Sequence, residues 1–96
     1  MASYVSLFRW TDEGVRSVKD TVSRTRDSIA AIEKLGGKMT VLWTQGRYDL
    51  VAIGELPTEE AAMALALNTG KAGKVRTETL RAFSIDEMER ILRKVT

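Results

Sequence analysis

The sequence predicts an α+β domain: a four-stranded antiparallel sheet, two main helices on one of its faces, and a further helix at the C-terminus. Three observations point there. Residues 3–10, 38–45, 48–56 and 75–83 are rich in β-branched and aromatic side chains and read as strands. The stretches after the first and third of these carry helical spacing and helix-start residues. The second and third strands are separated only by Gly46-Arg47, a two-residue turn with glycine first. The order is therefore β-α-β-β-α-β plus a terminal helix, the split-βαβ or ferredoxin-like pattern, in which two right-handed crossovers put both main helices on one face. The 96 residues hold no linker, repeat or low-complexity tract, so residues 1–96 are expected to form one domain.

The first strand carries Tyr4, Val5, Leu7, Phe8 and Trp10. Thr11 follows as a helix cap, with Asp12 and Glu13 where the helix dipole favours acids. Val15, Val18, Val22, Ile29 and Ile32 fall on one helical stripe, with Thr25 filling a gap in it, and charged residues occupy the opposite side. Gly36-Gly37 ends this helix. Hydroxyl and β-branched residues at positions 21–23 predict a break or kink near them.

The hairpin turn pairs Gln45 with Tyr48, Thr44 with Asp49 and Trp43 with Leu50. One face of the hairpin then holds Val41, Trp43, Tyr48, Leu50 and Ala52, and the other holds Leu42, Val51 and Ile53, with Thr44 and Asp49 at its rim. Pro57-Thr58-Glu59-Glu60 starts the second helix, whose alanines to Leu67 suit close approach to a sheet. Residues 68–74 read as a glycine-punctuated loop. Ser84-Ile85-Asp86-Glu87 is a capping box opening a helix with Ile85, Met88, Ile91, Leu92 and Val95 on one side.

The hairpin is apolar on both faces, whereas a sheet with one face in water alternates apolar and polar residues. The crossover helices cover one face only. The other face predicts a homodimer or higher oligomer, through a self-complementary contact with a second copy.

Composition narrows the chemistry. The chain has no cysteine and no histidine. Disulfides, thiolate nucleophiles, cysteine-based metal sites and imidazole bases are therefore excluded, and no cofactor is expected. No acidic spacing suggests a metal cage. Fifteen basic against 13 acidic residues give a net charge of only +2, which argues against nucleic acid as a partner. No apolar run is long enough to span a membrane, and the first residues lack a signal-peptide pattern, so a cytoplasmic protein is expected.

Several segments together resemble the GYD domain family. Gly46-Arg47-Tyr48-Asp49 is similar to the motif that names it. Tyr4-Val5 with Thr11 and Gly14 resembles its first strand and helix start, and Leu35-Gly36-Gly37-Lys38 its link to the second strand. The segment from Gly73-Lys74-Val75 to Arg81-Ala82-Phe83 resembles its last strand. Arg24 stands where a helical arginine is expected from the resemblance. Val22 departs from it, since family members often have proline there. The resemblance implies a ferredoxin-like domain of the dimeric α/β barrel group, with two sheets facing each other, and implies little about activity.

The ligand-binding candidates are Tyr48, Asp49, Arg81, Trp43, Trp10, Arg24 and Thr77. Tyr48 and Asp49 combine an acid/base or ligand-orienting pair with a structural alternative, in which Asp49 bonds a backbone amide or Thr44. As neighbours on a strand they point to opposite faces and do not easily share a pocket. Arg81 and Thr77 lie on one face of the last strand, where the arginine fork suits a carboxylate, or else Asp49 or Glu55 of the dimer. Trp10, Trp43 and Tyr48 suit an aromatic pocket or plain packing. Gly70-Lys71-Ala72-Gly73-Lys74 has neither the spacing nor the context of a phosphate-binding loop, leaving anion contact by Lys71, Lys74 and Arg76 as a minor reading. Two functions are carried forward. One is an oligomeric module for small-molecule binding or assembly. The other is a cofactor-independent enzyme, monooxygenase- or isomerase-like, with a pocket between sheet and helices.

Overall fold

The computed structural model describes residues 1–96. Strands β1 (Ala2–Trp10), β2 (Lys38–Trp43), β3 (Leu50–Leu56) and β4 (Val75–Ala82) form one antiparallel sheet in the order β2-β3-β1-β4, compatible with a ferredoxin-like arrangement. Helices α1 (Asp12–Arg16) and α2 (Thr21–Lys34) lie between β1 and β2, α3 (Glu59–Lys71) between β3 and β4, and α4 (Ile85–Leu92) after β4.

The first helical segment is broken, at residues 17–20, just before the 21–23 stretch. A 3₁₀ turn covers Val18–Asp20, and Thr21, Val22 and Ser23 form the first turn of α2. The Ser17 hydroxyl donates to the Glu13 carbonyl at 2.9 Å and the Asp20 amide to the Ser17 carbonyl at 3.1 Å, so the chain turns on a serine that competes with the helix ladder. The break divides the expected stripe. Ile32 is buried at 1% exposure and Val18 and Ile29 are half-buried, but Val15 and Val22 face solvent. At the far end, Gly36 at φ 86° lets its amide reach the Glu33 carbonyl and the Gly37 amide reach the Ile32 carbonyl, both at 3.0 Å, closing α2 with a Schellman motif.

The hairpin register is as expected at Trp43↔Leu50, and the Thr44 amide donates to the Asp49 carbonyl at 2.9 Å. The strands stop there, and residues 45–48 form an open loop in place of a two-residue turn. The reason is a competing partner: the Asp49 amide bonds the Phe8 carbonyl at 2.8 Å, tying the loop to β1. Helix α3 also runs past Leu67, through residues expected as loop, to Lys71. Gly70 costs an exposed helix only ~1 kcal/mol. The helix stops where Gly73 takes φ 80°.

Ile32, Leu56 and Ala62 form a small core at one end of the sheet, with Tyr4, Met39 and Leu65 against it. Helix α2 packs chiefly on β2 and α3 on β4. The opposite sheet face carries no helix. Register places Ile53, Val5 and Leu80 in one row across it, and Leu42, Val51 and Leu7 in the next. Leu42 and Ile53 are more than half exposed.

The C-terminal helix does not cover that face. Ile85 is 80% exposed, and Met88, Leu92 and Val95 also meet solvent. Its capping box is present: the Ser84 hydroxyl accepts from the Glu87 amide at 3.1 Å and the Glu87 carboxylate accepts from the Ser84 amide at 3.0 Å. The Ser84 amide and then the Arg81 guanidinium, 3.2 Å away, hold the Glu87 carboxyl below its ordinary pKa. A depressed folded-state pKa contributes stability that is present above the ordinary carboxylate range and is lost as pH falls through the lowered value. Carboxyl NMR titration is expected to give Glu87 a midpoint below that of glutamate in an unfolded peptide. Glu87→Gln is expected to remove this pH-dependent contribution, read as helix content of α4 that no longer changes as the carboxyl titrates.

Candidate functional site

The structure holds a cavity of about 430 Å³ between the sheet and the two main helices. Its floor is the helix-bearing face: Tyr4, Ser6, Phe8 and Trp10 of β1, Val41 and Leu50 of β2 and β3, and Val75, Thr77 and Thr79 of β4. Its walls are Thr21, Arg24, Thr25 and Ser28 of α2 and Ala62, Ala66 and Thr69 of α3. Ala62 of α3 packs close on the core with Ile32 and Leu56 as expected, but Ala62 and Ala66 also border open space on their other side. They face the small side chains Ser6 and Thr79, and α2 sits to one side over β2. Small groups on both sides of a gap leave it unfilled.

The inner stripe of α2 explains where the cavity lies. Thr21, Thr25, Ser28 and Ile32 follow a spacing of four, three and four residues, and so share one helix face. Ile32 fills the core at the C-terminal end of the stripe, while the three hydroxyls line open volume. Within the lining, the Ser6 and Thr79 hydroxyls bond each other at 3.1 Å, and the Thr69 hydroxyl donates to the Leu65 carbonyl at 2.8 Å. Thr21 accepts the Trp43 indole N–H at 3.1 Å. Thr25, Ser28 and Thr77 have no side-chain hydrogen bond within the protein. The charged lining groups are Arg24, Lys74 and Asp27.

The candidates named from sequence divide by location. Trp10, Arg24 and Thr77 line the cavity, and Trp43 buttresses its α2 wall through Thr21. Tyr48, Asp49 and Arg81 lie outside it. Tyr48 is on the helix-free side, not with Val41 and Trp43: its hydroxyl donates to Glu78 at 3.0 Å, and the Arg9 guanidinium lies over its ring at 5.2 Å. The open loop at 45–48, in place of a strand, is what frees it from the expected face. Arg81 is engaged within its own protomer, close to the end of β4. It pairs with Glu87 and stacks on Phe83, with its guanidinium 4.4 Å from the ring centroid.

Asp49 acts on the backbone. Its carboxylate accepts the Trp10 amide at 2.9 Å, beyond the last β1–β3 pair at Phe8↔Leu50. Asp49→Ala leaves that part-buried amide without a partner, so a loss of about 1–2 kcal/mol is expected, read by thermal unfolding and by faster exchange of the Trp10 amide proton. Asp49→Asn, which keeps an acceptor, is expected to lose less.

Sequence reading missed Ser6, Thr25, Ser28 and Thr69 as lining residues. The signal was present in α2, where hydroxyls recur at core spacing on a face that should be apolar. The family model described as GYD domain matches residues 4–92. The chain belongs to the GYD domain family. The match takes in β1 from Tyr4, the other three strands and α1 to α4, and with them every residue lining the cavity. No curated protein and no solved structure matches the sequence.

Proposed function

We propose that this GYD domain is a small-molecule-binding module, one domain over residues 1–96, that works as a homodimer. The cavity carries the binding reading: at about 430 Å³ it falls in the ~300–1,000 Å³ range of ligand pockets and mixes an apolar floor with unpartnered hydroxyls. The cofactor-independent enzyme uses the same space. Its lining offers hydroxyls and aromatic rings with Asp27 as the one carboxylate, which suits holding a molecule better than abstracting a proton.

The dimer is supported by the helix-free face. Leu42, Ile53 and Leu80 stand exposed there beside Val5, Leu7 and Val51. Its rim carries both signs, with Lys38 and Glu55 at one end and Arg9, Arg76 and Glu78 toward the other, which suits a self-complementary two-fold contact. Facing two such sheets gives the ferredoxin-like, dimeric barrel arrangement that the family resemblance implies. A cytoplasmic setting fits the cysteine-free sequence.

A fragment screen by protein-observed NMR tests the binding reading. Hits are expected to shift Trp10, Thr25 and Thr77. Ala66→Trp, which fills the cavity from α3, is expected to weaken every such hit at least tenfold, by about 1.4 kcal/mol or more. Hits that survive this change with unaltered affinity would place binding elsewhere.

A further inference from the structure

The lining of the cavity also selects the chemistry of its ligand. Phe8 and Trp10 are successive residues on the helix-bearing face of β1, and both line the cavity. Aromatic faces favour a flat ring system over a flexible chain. The charged lining is unequal: Arg24 and Lys74 against the single carboxylate of Asp27.

Arg24 is the better anion partner of the two cations. Its hydrogen bond to the Ser17 carbonyl is 3.4 Å long and its approach to Asp20 is 3.8 Å, so most of its donors are uncommitted. Lys74 is held by Glu13 at 3.1 Å. A planar guanidinium fork matches a carboxylate bidentately. Thr25 stands next to Arg24 on the same helix, and with Thr77 it adds hydroxyl donors that no protein group uses.

We infer that the cavity takes a planar aromatic monocarboxylate, its rings over Phe8 and Trp10 and its carboxylate on Arg24. This rests on the binding reading above and specifies its ligand class.

The test compares naphthalene-2-carboxylate with its neutral isostere, naphthalene-2-carboxamide, by calorimetry and by NMR shifts at Trp10 and Thr25. The carboxylate is expected to bind the full-length protein at least tenfold more tightly. Arg24→Gln is expected to bring it down to the affinity of the amide while leaving the amide unchanged. Lys74→Gln serves as a second variant and is expected to reduce the preference less. Equal affinity of acid and amide at these residues, in the wild-type protein, overturns the anion inference and leaves the cavity reading standing. Failure of both compounds and of every other fragment to shift the cavity residues overturns both readings.

Discussion

Gly14→Ala is expected to be the most destabilising single-methyl change in the chain. A Cβ at Gly14 would fall on the Lys74 carbonyl oxygen, far inside van der Waals contact, and 3.2 Å from the Trp10 ring. The obstacle is backbone, so no rotamer change relieves it. That carbonyl accepts the Thr11 amide at 3.0 Å, and the Thr11 hydroxyl donates to the Gly73 carbonyl at 2.6 Å while accepting the Gly14 amide at 3.1 Å. The junction of β1, α1 and the start of β4 must therefore separate to admit one methyl group. A loss of about 3 kcal/mol is expected, a drop of roughly 12–24 °C in Tm for a domain this small. Gly70→Ala is the control. No atom lies within 4 Å of its Cβ position and it sits inside α3, so it is expected to stabilise by about 0.5–1 kcal/mol. Two glycines in one chain should thus move Tm in opposite directions. An unchanged Tm for Gly14→Ala would mean that α1 does not dock on Lys74.

Ile53→Asp is expected to separate the dimer proposed above without unfolding the protomer. Ile53 is 54% exposed in the protomer, on the row it shares with Val5 and Leu80. A surface carboxylate at such a position changes protomer stability by only about ±0.5 kcal/mol. Buried in a two-fold contact, two unpaired carboxylates near one axis cost far more, and a dimer dissociation constant raised roughly a hundredfold or more is expected. Light scattering at low micromolar concentration reads this directly: wild type at dimer mass, Ile53→Asp at monomer mass, with matching helix content. A wild-type monomer under the same conditions would sink the dimer and leave the apolar face to a different partner.

The cavity was only half legible in advance. Trp10 and Thr77 stand out in sequence as an aromatic and a strand hydroxyl, and Arg24 through the family resemblance. Ser6 does not, because serine is as common in loops and on surfaces as in pockets, and Ser28 stands out only as one of the hydroxyls recurring along α2. Thr25 could be noticed only as a polar residue interrupting an apolar stripe. Tyr48 and Asp49 misdirect a reader in the opposite sense. A Tyr-Asp pair in a family motif suggests chemistry, yet the loop at residues 45–48 turns Tyr48 to the helix-free side and Asp49 spends its carboxylate on a backbone amide. Side-chain type does not reveal whether a nearby amide has already claimed it.

By itself the sequence determined the four strands, the Trp43↔Leu50 hairpin register, the caps at Thr11, Thr58 and Ser84, and the presence of two apolar sheet faces. These follow from local rules: period-two alternation, hydroxyl caps and glycine stops act within a few residues of themselves. Tertiary structure decided where α2 begins, how far α3 runs, that α4 stands off the sheet, and that small side chains from distant segments leave a cavity between them. Those outcomes depend on how much volume meets across a gap, and on which of two partners an amide finds closer, quantities that exist only once segments far apart in sequence are brought together.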